Sequence, residues 1–205
     1  MNLYLIRHGE PDIPEGLAQD NFPLSELGHR QAEALSQSFR TVPLNYLLAS
    51  PLARTRQTAE WISRGRNLTI RLENDFQEMR SGEMAGLPRK EIFRRYGEIL
   101  KARPHPQMDY GYSQGETSGQ FHRRVVAAFE KHVWQPFAEG PSNVALVAHG
   151  GVICVLLLHF LGLTFDGYLT FFADFTGVTH IDTRHGRPRI RCFNDLTHLR
   201  GNGLL

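Results

Sequence analysis

Three short apolar runs in this chain each end in residues that can handle an anion. Arg7-His8-Gly9 follows Leu3 to Ile6, Ser50-Pro51-Leu52-Ala53-Arg54 follows Asn45 to Ala49, and His149-Gly150-Gly151 follows Asn143 to Ala148. If the three ends converge, Arg7, Arg54, His8 and His149 enclose a pocket for a dianion. Guanidinium forks pair with phosphate oxygens, and backbone N–H groups near Gly150, at a helix start, add further donors. Phosphate is the natural occupant.

A histidine attacks phosphorus only when neutral, with one ring nitrogen carrying a free lone pair and the other held as a donor, typically to a backbone carbonyl. Arg7, Arg54 and a protonated His149 beside His8 would favour that neutral form by charge repulsion. The same cations would stabilise charge on the equatorial oxygens during phosphoryl transfer, a task that requires positioning and electrostatics and is met here without metal. A leaving alkoxide also needs a proton. Glu78, in Phe76-Gln77-Glu78-Met79-Arg80-Ser81-Gly82, is the candidate donor, and its carboxylate could then deprotonate a hydrolytic water.

These groups depend on the elements beneath them. The run Leu3–Ile6 reads as a buried strand, Ser25–Phe39 as a helix capped by Ser25, and Asn45–Ser50 as a second strand with Pro51 opening a helix that buries Leu52, Ala59 and Ile62. A third strand is expected over Leu68–Leu72. Residues 78–115, rich in Gly, Pro, Arg and Tyr, read as a helix with irregular flanks, the lid or specificity excursion. A helical run over Gly115–Phe137 is expected to end near Pro136. Beyond it come the strand Asn143–Ala148, the apolar helix Val152–Leu161, and strands over Phe175–Asp182 and Pro188–Phe193 around a turn at His185-Gly186. This alternation predicts a three-layer α/β/α sandwich with a mostly parallel sheet, the ligand site lying at strand C-termini. One domain over residues 1–205 is expected.

Composition narrows the function. Lys+Arg 23 against Asp+Glu 21 leaves a net charge of +2, so the charge excess of a nucleic-acid binder is missing. The N-terminus shows no export signal, and Val144–Leu163 carries histidines and three glycines and reads as a strand and a helix rather than a membrane span. Cys154 and Cys192 lack CxxC pairing, which fits a reducing cytoplasm, and Cys154 is expected to pack in its apolar helix. His180, His185 and His198 form no metal-ligand pattern. Arg89, Lys90, Arg94, Arg95, Lys101 and Arg103 read first as a solvated basic face and only second as a guide for an acidic substrate. Tyr96, Tyr110 and Tyr112 read first as packing under the lid.

The ordered motifs carry a resemblance. Leu5-Ile6-Arg7-His8-Gly9-Glu10 resembles the opening signature of the histidine phosphatase superfamily, the phosphoglycerate-mutase-like enzymes. In order after it, Phe22-Pro23-Leu24-Ser25-Glu26-Leu27-Gly28 is similar to PLTxxG, and Ser50-Pro51-Leu52-Ala53-Arg54 with Thr58-Ala59 to SxLxRxxxTA. Gly115-Glu116-Thr117 is similar to GES, Ala148-His149-Gly150-Gly151 completes the set, and Asn194–Leu199 resembles the closing stretch. The resemblance implies a Rossmann-like sandwich, a phosphorylated His8, a phosphate pocket of Arg7, Arg54, His149 and Gly150, and Glu78 as proton donor, with no cofactor and no metal. Four departures bear on substrate and loop geometry. Pro11 and Pro14 replace the usual Thr and Asn, Asn21 being a candidate substitute for the latter; WEG becomes Met84-Ala85-Gly86, and the arginine of HGGxIR becomes Cys154.

The expected activity is metal-independent hydrolysis of a phosphomonoester, a small molecule or a phosphoprotein. Sugar phosphates, nucleotides and phosphorylated cofactor precursors all remain open, as does oligomeric state. A cofactor-dependent phosphoglycerate mutase uses the same nucleophile, but resembles this chain less where ERHYG and a longer insertion would stand against Glu78-Met79-Arg80-Ser81-Gly82 and a short lid. A non-catalytic phosphate-binding module is the third reading, disfavoured because every core group is retained.

Overall fold

A computed structural model describes residues 1–17, 20–102, 111, 113–137, 140, 142–163, 171–184 and 187–205, with the backbone alone for 99–102. Six strands form one sheet: β1 (Asn2–Arg7), β2 (Tyr46–Ala49), β3 (Ile70–Leu72), β4 (Asn143–Ala148), β5 (Val178–Asp182) and β6 (Arg189–Asp195). Their order is β3-β2-β4-β1-β5-β6. The first four in that order run parallel, with Leu3 opposite Val144 and Leu48 opposite Leu146. Strand β5 is antiparallel to β1, and β6 to β5.

Between their polar ends the central strands are nearly all apolar because both faces are covered. Leu3, Leu5, Val144 and Leu146 pack with Phe121, Phe129, Val152 and Leu156 of α4 (Ser118–Phe129) and α6 (Gly150–Leu161), where α6 is numbered after α5 (Gln135–Phe137). Ile6, Leu47, Ala145 and Val147 pack on the other face with Leu35 of α1 (Glu26–Ser38) and Ala59 and Ile62 of α2 (Ala53–Ser63). This is the expected three-layer sandwich. A separate small cluster joins Met84 and Ile92 to Met79, Leu87 and Tyr96, around α3 (Arg89–Ala102).

Several boundaries differ from the expectation. Helix α2 starts at Ala53, so Pro51 and Leu52 stand outside it. Strand β3 keeps only three residues, while Leu68 packs against the second core cluster. Pro136 does not stop the helical run: Glu130–Trp134 is a π-turn in which Gln135 N–H reaches Glu130 O, and the widened turn passes into α5 with Pro136 inside it. Helix α6 begins two residues early, at Gly150, since glycines are tolerated in a first turn that packing holds. Phe175–Gly177 is a turn rather than strand, with Thr176 at φ 55°. The expected turn at His185-Gly186 lies outside the described residues, as do Arg103, Tyr110 and Tyr112. Among the described residues no helix is long and apolar enough to cross a membrane.

Candidate active site

Strand order explains why the polar tips meet. Strands β1, β4 and β2 are neighbours and point the same way, so the residues after their C-termini share one crevice. His8 leaves β1, His149 leaves β4 and caps α6, and Arg54 stands in the first turn of α2 beyond β2.

All three side chains are buried, Arg54 at 1% exposure. His8 Nδ1 lies 2.7 Å from Gly9 O, and Arg54 Nε donates to His8 Nε2 at 3.1 Å. A carbonyl can only accept, so Nδ1 carries the proton and Nε2 the lone pair. Burial, then the charge of Arg54 and, more weakly, of Arg7 hold His8 well below the usual histidine pKa, against the opposing pull of the Gly9 carbonyl. Arg54 continues from His8 to His149 Nδ1 at 3.3 Å and to Asp20 O at 2.6 Å. Burial brings Arg54 down to about 10, opposed by the charge of Glu78.

The expectation of a protonated His149 needs correction. Arg54 donates to its Nδ1, so Nε2 carries the proton and gives it to Ser50 Oγ at 2.9 Å. Burial, with His8, Arg54 and Arg7 nearby, also holds His149 well below the ordinary value. The free pocket is built from two neutral imidazoles and two guanidiniums.

Arg7 completes one wall. Its Nη1 donates to Ala173 O at 2.7 Å and its guanidinium lies 4.0 Å from the Phe175 ring centre. Its buried Nε has no hydrogen-bond partner among the described residues, a state that a bound anion would relieve. Gly150 sits against this group: a Cβ there would come within 3.7 Å of Arg7 Nε.

Glu78 reaches the same crevice at the start of α6. Its Oε2 accepts from Gly151 N at 3.0 Å and its Oε1 from Met79 N at 2.9 Å. One of the N–H groups expected to serve phosphate at the start of α6 is therefore occupied by this carboxylate. Asn21 stands beside this crevice, its Oδ1 accepting from Ala53 N, one residue before Arg54, at 2.8 Å. Cys154 is buried in α6, its thiol pushed up to about 11 mainly by burial, and neither cysteine is bridged.

Several residues within or beside the motifs support the site. Thr58 Oγ1 accepts from Gly9 N at 3.1 Å and donates to Arg54 O at 2.8 Å, tying the β1 loop to α2. Thr176 N donates to His8 O at 3.2 Å; its hydroxyl donates to Phe175 O and receives His198 Nε2 at 3.0 Å. Asn194 Nδ2 holds the Asp174 carboxylate at 2.7 Å. The C-terminal motif thus pins the turn that backs His8. Gln31, whose Oε1 accepts from Glu10 N at 2.9 Å, carried no sequence signal beyond its place in α1.

The family model described as histidine phosphatase superfamily (branch 1) matches residues 3–196. A curated protein named probable phosphoglycerate mutase GpmB, from Yersinia pestis, is 28% identical over 80% of this chain and 76% of its own. The crystal structure of the α-ribazole phosphatase from Shigella flexneri superposes with TM-score 0.82 at 25% identity, covering 95% of this chain and 96% of that one. Phosphoserine phosphatase from Entamoeba histolytica, solved with 3-phosphoglyceric acid, gives TM-score 0.79 at 25% identity over 97% and 98% of the two chains.

Proposed function

Since this chain belongs to the histidine phosphatase superfamily, branch 1, whose solved neighbours include phosphatases, we propose that it hydrolyses a phosphomonoester through a covalent phosphohistidine on His8, without a metal. The observation that carries this reading is the hydrogen bonding of His8, which leaves the lone pair on Nε2, facing the Arg54 guanidinium.

In the proposed reaction a dianionic ester enters between Arg7 and Arg54 and draws the Arg54 Nε–H away from His8 Nε2, because phosphate oxygens accept a charged donor better than a ring nitrogen does. Nε2 then bonds to phosphorus. The P–O bond to the leaving group breaks, its electron pair stays on oxygen, and Glu78, in its protonated form, supplies the proton. The alcohol leaves and water replaces it. Glu78 takes a proton from that water as its oxygen bonds to phosphorus, the P–Nε2 bond breaks, and its electron pair returns to the ring. One ester and one water become one alcohol and one phosphate, with His8 and Glu78 restored. Arg7 and Arg54 hold the equatorial oxygens, and His149 joins them once Arg54 has left its Nδ1 and the dianion's charge favours a proton there.

The substrate we infer is a small phosphate ester, a class supported by the phosphoserine and 3-phosphoglycerate of the neighbours' descriptions. Cytoplasmic residence is our reading of two unbridged cysteines. The mutase name of the curated relatives keeps a second reading in view, in which the phosphoryl group returns to another hydroxyl.

Hydrolysis of para-nitrophenyl phosphate in EDTA, by wild type and His8→Ala, tests the proposal, followed by a panel of natural esters. Activity present in wild type and lost in a folded His8→Ala is expected. Hydrolysis of no ester together with transfer to phosphoglycerate would establish the mutase instead, and silence in both assays would favour a binding module.

A further inference from the structure

The segment that presents Glu78 is gripped by an ion pair that, among the described residues, makes no hydrogen bond to Arg7, His8, Arg54 or His149. Arg124, on α4, donates Nη1 to Asp75 O at 2.6 Å and to Gln77 O at 3.1 Å, and Nη2 to Glu78 O at 3.4 Å. Its Nε and Nη2 each meet a Glu116 carboxylate oxygen at 2.6 Å, a two-pronged pair. Glu116 in turn holds the far side of the segment: its Oε2 accepts from Arg80 N at 3.0 Å, and its own N–H donates to Arg80 O at 2.9 Å. The backbone is therefore fixed at positions three and one before Glu78, at Glu78 itself and two after it.

The clamp is itself rigid. The Arg124 and Glu116 side chains are only 11% and 9% exposed. Thr117, between Glu116 and α4, closes a capping box with Gln120. Phe76, fully buried in the main core, anchors the segment from inside. A planar guanidinium in this fork geometry fixes direction as well as distance, which a lysine ammonium cannot do.

We propose that Arg124 and Glu116 are positioning residues that aim the Glu78 carboxyl at the leaving-group oxygen. The inference rests on the reading of Glu78 as proton donor. A misaimed acid slows departure of a basic alkoxide and hardly affects a leaving group that departs unprotonated. The diagnostic is the ratio of kcat/KM for para-nitrophenyl phosphate to kcat/KM for an alkyl ester such as glycerol phosphate. Loss of folded protein scales both values equally and leaves the ratio unchanged.

In Glu78→Gln the ratio should rise steeply, by much of the roughly 10²–10⁴-fold that general acid catalysis supplies. Arg124→Lys should raise it about tenfold or more, a part of that same factor. Glu116→Gln, which keeps the shape and the acceptor oxygen but loses the charge, should raise it less, and serves if the lysine variant is poorly folded. An unchanged ratio in both clamp variants, with a raised ratio in Glu78→Gln, overturns the clamp and spares the acid. An unchanged ratio in Glu78→Gln overturns the acid assignment and the clamp with it.

Discussion

His8 is confined to one tautomer by two partners of opposite kind, a carbonyl that can only accept and a guanidinium that can only donate. In the proposed reaction that arrangement gives Arg54 two tasks, covering His8 Nε2 and binding the phosphate of the ester. Replacing Arg54 by Ala should cost about 1.5–3 kcal/mol of phosphate binding, read as a roughly 10- to 150-fold rise in the inhibition constant for inorganic phosphate. Equal affinity would remove Arg54 from the pocket. His8, Arg54, His149, Arg7 and Glu78 were legible in the sequence because each follows an apolar run or sits in an ordered motif. The hydrogen bonds made by Ser50, Thr58 and Gln31 were not, although the first two sit in a motif, because each joins elements whose approach only the fold defines. The charge of His149 was misjudged for a related reason: sequence shows a histidine near phosphate, while burial and the direction of the Arg54 bond decide its proton.

At the level of elements, the β1 loop and the start of α1 approach each other through two glycines. A Cβ on Gly28 would lie 2.1 Å from Glu10 O, and one on Gly9 would lie 2.6 Å from Gly28 O, in both cases against backbone that has no rotamer to yield. Gly28→Ala should therefore destabilise the fold by about 1–3 kcal/mol, as overpacking does, and displace the loop that carries His8. A urea titration measures the first effect and kcat the second; a variant matching wild type in both would show that this contact can relax. Apolar runs and caps revealed the strands, α1 with its Ser25 cap, and the strand-to-helix junctions. They could not reveal the turn at Phe175–Gly177, where apolar residues imitate a strand. The left-handed Thr176 and its bond to His8 O depend on contacts of this turn with His198 and Asn194, which are distant in sequence.

For the whole molecule, convergence of three parallel strand tips places basic groups at one end of a nearly neutral chain, and burial disfavours the charged form of five of its histidines. His8, His149, His122, His180 and His198 all have pKa values lowered below 6.5, with burial as the first cause of each. Above about pH 6.5 both folded and unfolded forms leave them neutral, and stability is complete. As pH falls below that value the unfolded chain takes up protons that the folded chain refuses, so stability declines, by at most about 1.4 kcal/mol per pH unit for each such histidine. Glu116 and Asp195, whose pKa values are lowered, add their loss only below about pH 4.5. Melting temperature should fall between about pH 6.5 and about pH 5, with a shallower slope in His8→Gln; a flat profile would mean that these histidines take up protons equally in the folded and unfolded chains. The central claim is the covalent step itself. Acid-free rapid quench of the protein during turnover of para-nitrophenyl phosphate, followed by mass spectrometry of its peptides, reads that step directly. The account predicts a phosphoryl group on His8, stable in base and labile in acid, formed as fast as the ester is cleaved; a turning-over protein in which no phosphorylated His8 forms, or whose phosphoryl group sits elsewhere, would contradict it.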